Sequence, residues 1–118
     1  MLDLTLPGYK LASCFCREQY TKGGACILVR NDLNCKAIDL NNTCKEKVFE
    51  ISAVRLDTCS TSMIICCVYR SPSENSKHFL NLLEKTLNLL YQPTTLMVIC
   101  GDLNINSLTE VQRNKIWK

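Results

Sequence analysis

The 118-residue chain has no run of like charge, no internal repeat or low-complexity segment, and no stretch approaching ~18 uninterrupted apolar residues. Each absence removes a class of protein. Without a long apolar stretch the pattern predicts no membrane-spanning helix. The 14 Lys and Arg and 11 Asp and Glu are scattered, so composition at a net charge of +3 does not demonstrate nucleic-acid binding. With no linker-like segment, and a soft prior of roughly 150 residues per domain, one domain over residues 1–118 is expected. The amino terminus, MLDLTLPGYK, lacks the charged start and continuous apolar core of a secretory leader. The glycosylation pattern at Asn41-Asn42-Thr43 is then expected to be idle. Histidine is nearly absent, with His78 alone, and no second CxxC-like pair or neighbouring His completes a zinc signature.

What is present is the material of a packed core. Hydrophobic residues make up 47% and charged residues 21%, which excludes the low hydrophobicity and high net charge of disordered chains. Nine cysteines raise the possibility of a secreted disulfide scaffold, but the number is odd and the spacing irregular. Cys26, Cys66, Cys67 and Cys100 also lie within apolar runs, where a free thiol behaves as a small hydrophobe. Reduced thiols in an intracellular protein, of the nucleus or cytoplasm, are the expectation.

Tyr9 to Cys16 reads as a first strand, Lys22-Gly23-Gly24 as a turn, and Ala25 to Val29 as the returning strand of a hairpin. Cys35 to Leu40 suggests a third strand and Val48 to Leu56 a fourth, with approximate alternation and a turn near Asp57 to Ser60. Met63 to Tyr69 is almost wholly apolar and is expected to be a central strand buried on both faces. The period then changes. Ser71-Pro72-Ser73-Glu74 has the form of a capping box, and Phe79, Leu82, Leu83, Leu87 and Leu90 follow at helical spacing until Pro93. Leu96 to Cys100 is the next strand, and Leu108 to Trp117 is weakly amphipathic and suggests a final helix.

Residues 63 to 100 therefore read as strand, helix, strand, a crossover that normally joins parallel strands. Both strands then end at the same edge, where open sheets place their ligand crevice. That puts Tyr69 and Arg70 beside Asp102 and Asn104 of the Gly101-Asp102-Leu103-Asn104 segment. The four suit a phosphate ester. Asp102 is a candidate general base or metal ligand, Asn104 and the Tyr69 hydroxyl can stabilise charge on non-bridging oxygens, and Arg70 can bind phosphate. Taken singly, Asp102 and Asn104 are also ordinary turn formers, Tyr69 a strand-end aromatic and Arg70 a solvated charge.

Four blocks carry a further resemblance: Pro7-Gly8-Tyr9, Gly23-Gly24-Ala25-Cys26-Ile27, Val68-Tyr69-Arg70-Ser71-Pro72 and Gly101-Asp102-Leu103-Asn104-Ile105. In order and spacing they resemble the endonuclease domain of non-LTR retrotransposons. That domain is a branch of the endonuclease/exonuclease/phosphatase fold, to which DNase I-like and apurinic/apyrimidinic endonucleases belong. The resemblance runs over nearly the whole chain, and its last two blocks are the most specific.

The resemblance implies an α/β fold, a partial DNase I-like sandwich of mixed β-sheets flanked by helices. It also implies Mg²⁺-dependent hydrolysis of a phosphodiester in DNA. On it, Asp102 matches the Asp that activates or positions the attacking water, Asn104 the partner that binds the scissile phosphate, and Tyr69 the Tyr near that phosphate. Pro72 stands where the DNA-repair branch has Asn, and the Arg-Ser-Pro form is common among retrotransposon relatives. Two blocks of the family do not occur in these 118 residues: the upstream strands ending in Asn and in a metal-binding Glu, and the downstream Ser-Asp-His type block. His78 matches neither and is expected on a helix surface. Asp102 alone would hold Mg²⁺ poorly, and catalytic groups that act as a unit fail together. The expectation is thus a fragment of a DNA endonuclease domain with little or no activity alone. The alternative is a non-catalytic module that binds nucleic acid or protein and retains half of the fold. Exposed sheet edges would favour self-association.

Overall fold

The computed structural model describes residues 6–16, 24–45, 48–58, 60–71 and 76–103. In chain order these form β1 (Tyr9–Phe15), β2 (Ala25–Arg30), β3 (Cys35–Ile38), β4 (Glu50–Asp57), β5 (Ser62–Tyr69), α1 (Ser76–Leu90) and β6 (Leu96–Asp102). β1 and β2 pair antiparallel as a two-stranded sheet, and the other strands form a four-stranded sheet of order β3-β4-β5-β6. Its first two pairings are antiparallel and the last, β5 with β6, is parallel. α1 lies between β5 and β6 in the chain, as the expected crossover requires. The α/β class holds. The larger sheet is mixed and the smaller is antiparallel only, and α1 is the one helix among the described residues. The expected capping box, apart from Ser71, and the expected helix from Leu108 to Trp117 lie outside those residues.

Strand alternation sorts the larger sheet into two faces. On one, Ile51, Ala53, Ile64, Cys66 and Val68 are buried with Phe79, Leu83 and Leu90 of α1 and with Leu40 and Phe49. The spacing of Phe79, Leu83, Thr86 and Leu90 puts them on one stripe of the helix. Phe79 meets Phe49 with ring centroids 5.6 Å apart and planes tilted by 57°. Buried Thr86 satisfies its hydroxyl by donating to the Leu82 carbonyl at 2.9 Å.

The hairpin packs on the opposite face, over β3 and β4 and, through β2, on β5. Its cover fades across the sheet. In the row formed by the paired residues Val54, Ile65 and Val98, exposure rises from 0% to intermediate to 38%. β5 is therefore not buried on both faces: Ile64, Cys66 and Val68 are buried, while Met63, Ile65, Cys67 and Tyr69 are only half-buried. An apolar strand shows how much it can bury, but its neighbours decide which face is covered. β3 and β6 are the edges of this sheet among the described residues. Cysteines in the described residues are unbridged. No helix there is long and apolar enough to cross a membrane.

Candidate functional site at the ends of β5 and β6

The parallel register of β5 and β6 places Tyr69 directly beside Asp102. The antiparallel register of β4 and β5 places Glu50 directly beside Tyr69. Glu50, Tyr69 and Asp102 thus form one row across three strands, on the face that carries the hairpin. Burial falls along it: Glu50 is 1% exposed, Tyr69 half-buried and Asp102 exposed. An exposed carboxylate on the strand position next to a tyrosine is a pairing that can orient water and meet an anion.

Gly101 makes the close approach of these strand ends possible. Its φ of 134° lies in a region that L side chains rarely adopt, and a Cβ there would overlap the carbonyl oxygen of Val68, its partner in β5. The Arg70 backbone N–H donates to the Asp102 carbonyl at 3.0 Å, extending the pairing past the end of β5. The Arg70 side chain turns inward, 6% exposed, and its Nε donates to the Leu103 carbonyl at 2.7 Å. Its guanidinium also lies 3.5 Å from the Ser71 carbonyl. Arg70 therefore holds two successive carbonyls, those of Asp102 and Leu103. Such a buried, charge-assisted bond to a carbonyl is the strong kind.

Glu50 anchors the hairpin to the same end of the sheet. The backbone N–H of Gly24 donates to Glu50 Oε1 at 3.2 Å. Gly24 has φ 117°, and a Cβ there would sit 2.7 Å from the Phe15 carbonyl oxygen, so the turn into β2 requires glycine. Glu50 belongs to no motif in the sequence. The available signal was a charged residue between Phe49 and Ile51 in an otherwise apolar strand, but only the register shows that it lines up with Tyr69 and Asp102.

Tyr69, Arg70 and Asp102 are thus brought together at one sheet end, with Arg70 holding backbone there. Asn104 lies outside the described residues. His78 is exposed on α1. Among the described residues no group of three or more His, Cys, Asp or Glu is arranged to hold a metal ion. Glu50 and Asp102 sit on strands separated by β5, roughly 10 Å apart at ~4.8 Å per strand, and Glu50 is engaged by Gly24. Mg²⁺ demands near-octahedral oxygen ligands at short range. Among the described residues at this sheet end, Asp102 is the solvent-exposed carboxylate and thus a single candidate ligand.

A cleft in the described residues lies elsewhere, between β1 and the β3–β4 side of the larger sheet. It is about 360 Å³ in volume and is lined by Leu11, Ser13, Cys14, Asp39, Leu40 and Ser52 among others. Comparison with protein-family models, with curated proteins and with solved structures returns no match to this chain.

Proposed function

We propose that this chain is part of a phosphodiester-cleaving DNA endonuclease domain of the non-LTR retrotransposon type, and that by itself it is catalytically silent. The observation that carries the reading is the pairing of Tyr69 with Asp102 at the ends of adjacent parallel strands joined through α1. The most specific sequence blocks, Val68 to Pro72 and Gly101 to Ile105, begin on those same strand ends. In this reading Asp102 orients the attacking water and the Tyr69 hydroxyl donates to a phosphate oxygen. Asn104 and Arg70 are assigned to the phosphate, and the buried Arg70 acts there chiefly by holding the strand end. Mg²⁺ belongs to the intact domain. DNA is the partner.

Silence follows from the donor set. The chain contains no match to the upstream Glu block or the downstream His block, and a catalytic unit lacking such members loses most of its rate. Plasmid DNA incubated with the chain and Mg²⁺ should remain supercoiled. Nicking that disappears in Asp102→Ala would refute the silence while supporting the site.

The endonuclease reading itself is tested by the coding sequence on either side. A Glu block upstream and an Asp-His block downstream, leading into a reverse-transcriptase frame, are expected; a frame of unrelated protein sequence would sink it. DNA binding that weakens steeply with salt is a second expected result. Binding that is absent at low salt would favour a protein-binding module.

A further inference from the structure

Five thiols form a line between the two sheets. Cys14 and Cys26 are register partners in the hairpin, and Cys67 and Cys100 are register partners in the larger sheet. The Cys67 thiol interacts with the Cys100 thiol and with the backbone of Cys26, which joins the two pairs. Cys16, just past the end of β1, completes the line with its Sγ 2.9 Å from Cys14 Sγ. Cys16 and Cys100, at the two ends, are exposed, and Cys14, Cys26 and Cys67 between them are half-buried. Cys14 also lines the cleft between the hairpin and the larger sheet, so a small molecule can reach the first pair from that side.

We propose that Cys14 and Cys16 are a reversible redox pair, converted to an intrachain disulfide by a low-molecular-weight disulfide such as oxidised glutathione. The two sulfurs already touch. In extended chain, residues two apart stand roughly 6.6 Å from one another at Cα, within the upper limit of about 6.8 Å for a disulfide. Exposed bridges are the more readily reduced ones, and Cys16 is exposed, which makes the bridge reversible.

The chemistry has an order. Burial, with the hydrogen bond and charge of Cys16 and the charge of Cys26, pushes the Cys14 thiol up to about 12, so Cys14 does not begin the exchange. The exposed Cys16 does. Its thiolate attacks one sulfur of the oxidant, forming a mixed disulfide and expelling one glutathione thiolate, which takes up a proton. Capping Cys16 removes its thiol hydrogen from the contact with Cys14. Cys14 then loses its proton to solvent and attacks Cys16 Sγ, forming the Cys14–Cys16 bond and expelling the second glutathione. Two protein thiols are oxidised and one glutathione disulfide is reduced to two thiols. This inference is independent of the endonuclease reading.

The test uses the full chain equilibrated over graded ratios of oxidised to reduced glutathione, quenched in acid, alkylated in denaturant and digested with trypsin. Cleavage after Lys10 and Arg17 releases a peptide, 11–17, that contains Cys14 and Cys16 and no other cysteine. With oxidised glutathione in excess, that peptide should be two hydrogens lighter and carry no alkyl group, and it should revert when reduced glutathione is restored. Cys14→Ser should stall with one glutathione on Cys16, whereas Cys16→Ser should leave Cys14 free to be alkylated. Alkylation of both cysteines at every ratio would overturn the proposal, as would a link from this peptide to the one holding Cys26, or a first link between Cys67 and Cys100. The wild-type mapping needs no variant to fold.

Discussion

Gly101→Ala should destabilise the protein far more than the same change at Gly8, although both glycines have positive φ. Gly8, at φ 84°, has nothing within 4 Å of the position a Cβ would take. Its cost is therefore conformational only, about 1–2 kcal/mol for an L residue placed in left-handed backbone. Gly101, at φ 134°, adds to conformational strain a collision with backbone: the Val68 carbonyl carbon would lie 2.8 Å and the Val68 nitrogen 2.9 Å from the new Cβ. Strain in so sparse a region costs about 1–3 kcal/mol. Relief of the collision requires β6 to move from β5, disturbing pairing that includes the Arg70 N–H bond to the Asp102 carbonyl. At about 1 kcal/mol net per lost bond, the total is about 2–5 kcal/mol. Urea unfolding of wild type, Gly8→Ala and Gly101→Ala measures the difference, with an unchanged slope showing that the comparison is of stability alone. A Gly101→Ala loss no larger than that of Gly8→Ala would refute the inference that the strand end bearing Asp102 is held by direct backbone contact.

Two further outcomes concern the surroundings of the site. Arg70→Lys retains the charge but not the planar fork, and should lose the bond to the Leu103 carbonyl at a cost of about 1.5–3 kcal/mol. Amide exchange from Cys100 to Leu103 should accelerate while β4 stays protected, and unchanged protection at the end of β6 would rule out the positioning role. Where β4 ends and β5 begins, the Ser62 hydroxyl and then Arg55 hold the Asp57 carboxyl below the usual range. A folded value below the unfolded one contributes stability above the ordinary value of about 3.9, and that stability is lost as pH falls through the folded value. An NMR titration should place Asp57 below ordinary Asp, and Ser62→Ala should raise it more than Arg55→Ala; the reverse order would contradict the assignment of causes.

Much of the architecture was legible in the order of apolar residues. Alternation and turn residues located the β1–β2 hairpin, β4 and β5, and the change of period at Phe79 located α1. The parallel pairing of β5 and β6 was expected because a helix-length crossover leaves little other choice. The neighbourhood of Tyr69 and Asp102 followed from that one step. Arg70 was harder to place. A polar residue at a strand end has the same local sequence whether it faces solvent or turns inward, and only the nearby Leu103 carbonyl settles its direction.

By itself the sequence determined the local elements, since periodicity and turn chemistry act over a few residues, and it determined that Tyr69 and Asp102 end neighbouring strands. The tertiary structure alone decided what depends on register and cover. It aligned Glu50 with those residues across β4, β5 and β6. It left one face of β5 half-covered because the hairpin lies mainly over β4. It also collected cysteines distant in sequence into one line, because pairing brings together residues that the chain keeps far apart.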